Sequence, residues 1–310
     1  MSNILIIKHG SLGDLIQANG AIKDIKNFYP NRKVFLLTTQ PYSIFMSECP
    51  YLDGVLIDKR LPRWNLFYLN NLKKTLSKYD FSKVFDLQNS SRTKFYKRFI
   101  IKNVEWSSTE TALEPGQRKS DFDKDPVLDR MEIQLKKSGI ETEFTKNIDL
   151  SWAVENTSHL VKKYTNREYI LLFPFCSPKL QNKKWPYYKE LIQKLKQEFK
   201  NKYSVLIAPG PNEIEEANEL NAKVVLENNE YVTLKTLVSL IHSAKLIIAN
   251  DTGPAHIASH LDKKGLALFG SHTSAKKVSI ENFNFKAISV KNLNDLDVDT
   301  VLNEAKVKLS

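Results

Sequence analysis

LIIANDTGPAHIASHLDKKGLALFGSHTS, residues 246–274, is two apolar runs flanking a short helical segment, and its reading decides the fold. The first run, 246–249, stops at Asn250-Asp251. Thr252 is a residue type that caps helix N-termini, and Pro254 suits a first helical turn. The second run, 265–269, ends at Gly270-Ser271 with two further hydroxyl residues behind it. Strand, turn, helix and strand in that order make a parallel βαβ unit. Its Gly/Ser/Thr turns either punctuate the chain with good capping or gather backbone N–H groups and a helix dipole around a phosphate. The stretch alone leaves both readings open.

Working outward, the same pattern recurs along the chain. An apolar run at 4–7 leads into Lys8-His9-Gly10-Ser11-Leu12-Gly13-Asp14. Leu15, Ala18, Ala21, Ile22 and Ile25 then recur at helical spacing until Pro30 stops them. Strands are expected at 34–37, 54–57 and 84–87, and a helix at 66–76. Residues 103–126, polar and interrupted by Pro115-Gly116, read as a surface loop able to move over a site. A helix at 127–138 and a short extended piece at 148–152 follow. The alternation restarts with strands at 169–174, 204–208, 224–226, 246–249, 265–269 and 287–290. Helices at 185–199, after Asn212, at 234–242 and from about 295 lie between and after them. The fold class is α/β: two Rossmann-like doubly wound lobes facing a cleft. The first occupies 1–150, a connection 151–167 and the second 168–310, with the last helix free to pack back on the first lobe.

A chain of 310 residues exceeds the usual single core, which agrees with two domains. Hydrophobic and charged contents of 42% and 26% are ordinary for a globular protein. No apolar run approaches the roughly 18 residues of a membrane span, and the start lacks a signal peptide's apolar core. Cys49 and Cys176 show no CxxC spacing, so a reduced, cytoplasmic setting is expected and a metal site is not. The net charge of +11 is partly local: residues 59–102 hold twelve basic residues against Asp80 and Asp86. That excess favours anionic partners or is plain solvated lysine. No helix-turn-helix, zinc-finger or RRM signature accompanies it, and aromatic residues are not interleaved as RNP motifs require, so nucleic acid is not expected.

Ligands of open α/β sheets bind beyond the carboxyl ends of the strands. The turns at 8–14, 174–184, 209–213, 250–256 and 270–274 are therefore the candidates. Five of the ten glycines fall in them: Gly10, Gly13, Gly210, Gly253 and Gly270. Neither GSLGD nor the later turns match GxGxxG or a P-loop, which counts against dinucleotide dehydrogenases and ATPases. Asp14 is either a general base for a hydroxyl or an acid that favours a helix start. Lys183 and Lys184 either neutralise a diphosphate or are a solvated pair. His256 is a ligand contact or a core residue. Glu213 either accepts from a ribose diol or suits a helix N-terminus.

Together, ILIIKHGSLGDLIQANGAIKDIK, KKWP with its helix, APGPNE, and NDTGPAHIASHL with LALFGSHTS resemble one glycosyltransferase family. It is the family that includes the bacterial ADP-heptose:lipopolysaccharide heptosyltransferases. The segments span nearly the whole chain in the family's order. The resemblance implies a GT-B fold, a nucleotide-diphosphate-sugar donor, and inversion at the anomeric carbon with no metal or cofactor. It makes Asp14 the catalytic base and Lys183, or Lys184 one place on, a donor-phosphate contact. Asp251, Thr252, Gly253, Pro254 and His256 become the donor-site signature, with Gly270 and Glu213 beside it. On the acceptor side it suggests Ser11, Gly13, Arg60, Arg63 and Arg92. The chain departs from the family at Gln17-Ala18-Asn19 and at His9-Gly10, both expected to face the acceptor.

The leading expectation is heptosyl transfer from ADP-heptose to a lipopolysaccharide core or related anionic envelope glycan. Its acceptor would be lipid-linked, met in peripheral contact with the inner membrane from the cytoplasmic side. The alternatives are transfer from a UDP or GDP sugar in O-antigen or capsule synthesis, a GT-B sugar-nucleotide epimerase, and a binding protein that transfers nothing.

Overall fold

The computed structural model describes residues 2–310, which divide at Trp152/Ala153 into two compact α/β units. In the first, β1 (Asn3–Ile7), α1 (Leu12–Phe28), β2 (Val34–Thr38), α2 (Gln40–Ser47), β3 (Gly54–Ile57), α3 (Leu66–Leu76), β4 (Phe81–Asp86), α4 (Ser91–Phe99) and β5 (Glu105–Ser107) alternate. α5 (Thr109–Ala112), α6 (Lys119–Phe122) and α7 (Val127–Lys137) complete it. The sheet is wholly parallel in the order β3-β2-β1-β4-β5. Helices cover both faces of such a sheet, so its strands read as unbroken apolar runs. Ile4 to Ile7 are accordingly without solvent exposure, paired from Ile4 opposite Val34 to Ile7 opposite Leu37.

The second unit runs through α8 (Ser158–Lys162), β6 (Glu168–Phe173), α9 (Tyr188–Glu198), β7 (Tyr203–Ile207), α10 (Ile214–Asn218), β8 (Lys223–Val224) and α11 (Leu234–Ser243). It ends with β9 (Leu246–Asn250), α12 (Gly253–His260), β10 (Gly265–Phe269), β11 (Phe285–Ser289) and α13 (Val298–Leu309). Its parallel sheet has the order β11-β10-β9-β6-β7-β8. α9 buries Leu191, Ile192 and Leu195 against it, and α13 adds Val298, Val301, Leu302 and Ala305 to the same core. The indole of Trp185 is buried there and donates to the Leu296 carbonyl at 2.9 Å. The apolar face of α13 is thus taken up within its own unit, where the sequence left it free to return to the first.

Four segments differ from the sequence reading. Residues 103–126 are not a bare loop: β5 joins the sheet edge beside β4, and Trp106, Ala112 and Phe122 are buried. Residues 148–152 form no strand, and a 3₁₀ turn spans Ser151–Ala153. α2 and α4, unmarked by periodicity, fill the crossovers after β2 and β4.

One buried acid ties the end of the first unit to its first helix. Asp24 on α1, 3% exposed, accepts from the amides of Glu143, Phe144 and Thr145 and from the Thr145 hydroxyl at 2.6 Å. Gly20, one turn earlier, lets that segment approach: a Cβ there would lie 1.9 Å from the Phe144 carbonyl oxygen. Asp24→Ala strands three amides and should cost about 2–4 kcal/mol, read as a lower urea midpoint. A loss below about 1 kcal/mol would show that the clasp does not hold the unit together.

Candidate functional site

Both sheets reverse their strand order at one point, between β1 and β4 in the first unit and between β9 and β6 in the second. Crossovers leave in opposite directions there, so the strand ends open a crevice. The candidate residues gather at these two points, and each unit builds its own arrangement.

In the first unit the chain leaves β1 at Lys8. Its buried ammonium lies 3.2 Å from Asp14 Oδ1 and donates to the Leu87 carbonyl beyond β4 at 3.0 Å. The Ser11 amide and hydroxyl each donate to Asp14 Oδ2 at 2.9 Å. Burial acts to raise the Asp14 pKa, but the Lys8 charge and the Ser11 bonds outweigh it and hold the carboxyl below its usual value. Its side chain is still 40% exposed. The result is a carboxylate kept ionised yet open to a ligand. Gly10 shapes the turn: its φ is +121°, and a Cβ there would meet the Tyr42 ring at 2.4 Å. Gly13 is buried in the first helical turn, and Ser11 is exposed.

A second carboxylate, missed in the sequence, lies behind this turn. Asp58, fully buried after β3, is 2.8 Å from His9 Nε2. It also accepts from the Tyr68 hydroxyl, from Tyr96 at 2.7 Å and from the Arg60 amide at 2.8 Å. Burial would raise its pKa, but the His9, Tyr68 and Tyr96 bonds bring it down to about 2. His9 therefore turns inward, and so does Asn19, which accepts from the Trp152 indole. The sequence reading had set both toward the acceptor. The signal for Asp58 was its place one residue past a strand, level with Lys8 and His9.

The three arginines fare differently. Arg92 donates to the Leu61 carbonyl at 3.0 Å, the Arg60 carbonyl at 3.3 Å and the Tyr96 hydroxyl at 3.1 Å, so its guanidinium fastens the 60–61 loop. Arg60, left-handed at φ 49°, and Arg63 have exposed side chains.

In the second unit Asn250 ends β9 without exposure. It donates to the Pro174 carbonyl at 2.8 Å and accepts from the Trp185 amide at 3.2 Å, which joins the turns after β6 and β9. Asp251 follows, 4% exposed. It meets Lys183 Nζ at 2.6 Å and His272 Nε2 at 2.9 Å, with His256 Nε2 3.8 Å away. Burial works against its charge, and Lys183 overcomes that to lower the pKa. Thr252 takes the extended N-cap position of α12, but its hydroxyl donates to the Asn250 carbonyl at 3.3 Å instead of capping. Thr252, Gly253 and Pro254 are half-buried at the surface of this turn, and Ala255 and His256 are buried behind it.

The neighbouring candidates separate by role. Lys184 pairs with Glu216, away from Asp251, so the two lysines are not equivalent. Glu213 stands at the N-cap position of α10, but its Oε2 accepts from the Gly210 amide at 2.6 Å instead of capping the helix. Its pKa is raised by burial. A Cβ on Gly270 would rest 3.5 Å from His272 and 3.6 Å from the Asn182 carbonyl oxygen, between the turns that bring Lys183 and His272 to Asp251. His272 went unmarked in the sequence; its place in the turn after β10 was the available signal.

The profile of glycosyltransferase family 9 (heptosyltransferase) matches residues 69–298. The chain is 22% identical to lipopolysaccharide heptosyltransferase 1 of Campylobacter coli, over 99% of this chain and 97% of that one. Its fold is similar to that of the E. coli heptosyltransferase WaaC with ADP, at TM-score 0.74 and 18% identity over 99% of each chain. It is similar at TM-score 0.59 and 16% identity to the UDP-GlcNAc 2-epimerase of Methanocaldococcus jannaschii, covering 100% of this chain and 93% of that one.

Lys8→Met keeps the bulk of the buried stem and removes the charge. The Asp14 pKa, left with burial opposed only by the two Ser11 bonds, should rise from its wild-type value, read by carbon-13 NMR of labelled aspartate. A carboxyl whose folded pKa is depressed stabilises the fold above its unfolded pKa and loses that contribution as pH falls through the folded one. The acid limb of the stability curve that Asp14 contributes should therefore shrink in Lys8→Met. An unmoved Asp14 titration would remove Lys8 as the cause.

Proposed function

The chain belongs to glycosyltransferase family 9, and on that premise we propose that it is an inverting heptosyltransferase. It takes heptose from ADP-heptose and places it on a lipopolysaccharide core or related anionic, lipid-linked glycan at the cytoplasmic face of the membrane. The observation that carries this reading is Asp14, ionised beside Lys8 and open to solvent at the switch point of its sheet. An acceptor hydroxyl donates its proton to Asp14 as its oxygen bonds to the sugar C1. The C1–O bond to the diphosphate breaks, its electron pair leaves with the phosphate, and the anomeric configuration inverts. A carboxylate with a lowered pKa is a weak base, so it takes the proton late, when bonding to C1 has made the hydroxyl acidic.

The departing diphosphate is received in the second unit. Lys183 donates to Asp251 and keeps further N–H donors, on a side chain 20% exposed. The start of α12 adds a helix dipole and the turn of Thr252 and Gly253. Donors fixed in place before charge develops contribute most to such a step. Glu213 offers carboxyl oxygens able to accept from a ribose diol, one of them already accepting from the Gly210 amide. No metal or cofactor enters this scheme.

Asp14→Asn should lower kcat by about 10²–10⁴-fold and leave nucleotide affinity nearly intact. Near-normal turnover would remove Asp14 as base. Calorimetry with ADP, UDP and GDP checks the donor, ADP being expected tightest, and turnover unchanged in EDTA checks metal independence. Product analysis without acceptor tests the epimerase reading, which the shared two-lobed fold favours. An altered nucleotide sugar there would replace transfer as the activity.

A further inference from the structure

The loop and helix after β3 expose large apolar side chains that no fold requires at a surface. Trp64 is 81% exposed, Leu66 75% and Phe67 77%, with Leu61 beside them at 39%. α3 explains how they are held. It buries Tyr68, Leu69, Leu72 and Leu76 in its own lobe, which fixes the opposite face outward. That face begins with Leu66 and Phe67 and continues one and two turns on to Asn70, Lys73 and Lys74. The loop before it is stiffened from beneath, because Arg92 holds the carbonyls of Arg60 and Leu61 and Asp58 holds the Arg60 amide. The Arg63 guanidinium lies over Phe95 at 5.8 Å, Phe95 packs on Phe99 at 4.8 Å, and Phe99 is itself 45% exposed. The apolar surface thus continues onto α4.

Charge sorts the basic stretch into two groups. Lys83 is paired with Glu105, and Lys94 and Lys97 lie against Glu110. Among the described residues, Lys59, Arg60, Arg63, Lys73, Lys74, Lys78, Arg98 and Lys102 make no ion pair with a carboxylate; the first five lie on the loop and helix that carry the apolar patch, and Arg98 lies over Phe99. Aromatic and leucine side chains ringed by unpaired lysine and arginine match the headgroup boundary of an anionic bilayer, where rings and chains sink about 5–10 Å and bases meet lipid phosphates. A protein partner would pair such bases with acids in a few places; a bilayer accepts all of them at once. We infer that Leu61–Phe67 and the outer face of α3 dock this lobe on an anionic phospholipid surface. Among the described residues no helix is long and apolar enough to cross a membrane, so this contact is peripheral. The inference does not rest on the identity of the donor or of the acceptor sugar.

The test uses the full chain without nucleotide, sedimented with vesicles of phosphatidylglycerol and phosphatidylethanolamine or of phosphatidylcholine alone. Binding is expected to the anionic vesicles and to fall steeply with salt. Trp64→Ala with Phe67→Ala should weaken it about tenfold or more. Lys73→Gln and Lys74→Gln should each weaken it about fivefold, as removal of one base near a charged bilayer does. All four positions are exposed, so circular dichroism should stay unchanged. Equal binding to neutral vesicles, or binding indifferent to both pairs of substitutions, would overturn the proposal. So would a wild-type dimer that the Trp64→Ala, Phe67→Ala variant dissolves, since a second copy would then cover the patch.

Discussion

A parallel sheet wound in both directions from its middle must part its crossovers somewhere, and that parting governs this molecule. Each unit has one such place, beside β1 in the first and beside β9 in the second. Strand ends there carry groups with no neighbour above them, so polar side chains reach the site without crossing the core. The register then sets which groups meet. The Lys8 amide bonds to the Leu37 carbonyl and the Asp58 amide to the Thr38 carbonyl. Lys8, His9 and Asp58 are thereby brought level at the end of three neighbouring strands.

Charges at these ends are partly withdrawn from water, and each survives because its partners outweigh that withdrawal. Asp58 has no exposure, yet a histidine, two tyrosines and a backbone amide bring its pKa to about 2. Removing one partner from such a cluster leaves a buried charge uncompensated, a larger penalty than the pair's net worth. Asp58 also holds the loop that starts at Arg60. The apolar surface of that loop therefore depends on the same buried carboxylate that orients His9 behind the Gly10 turn.

Much of this was readable from the amino-acid order. Runs such as 4–7 and 246–249 are apolar throughout because both sheet faces are covered, and Gly10, Thr252 and Gly270 mark the turns that follow. α4 was not legible, because it buries little beyond Thr93 and Tyr96 and is otherwise basic. β5 is three residues long and anchored by Trp106 in a polar segment, too short for any period to register. Asp14 and Asp251 stood out through their adjoining glycines and helix starts. Asp58 and His272 did not, since their importance comes from partners 49 and 21 positions away that only the sheet brings near.

The two switch points use one device to opposite ends. Each holds an aspartate against a lysine at the end of a central strand, and each aspartate has its pKa lowered by that lysine. Exposure separates them. Asp14 is 40% open with its lysine buried at 4%, whereas Asp251 is 3% open with its lysine at 20%. In the first unit the anion faces solvent and the cation stands behind it, so the site presents an acceptor for a proton. In the second the cation faces outward, with His272 and the start of α12 beside it, so the site presents donors for an anion. Exchanging which partner is buried makes one site present an anion and the other a cation with no change of residue type. That division suits a reaction needing a proton removed from one substrate and negative charge received from the other.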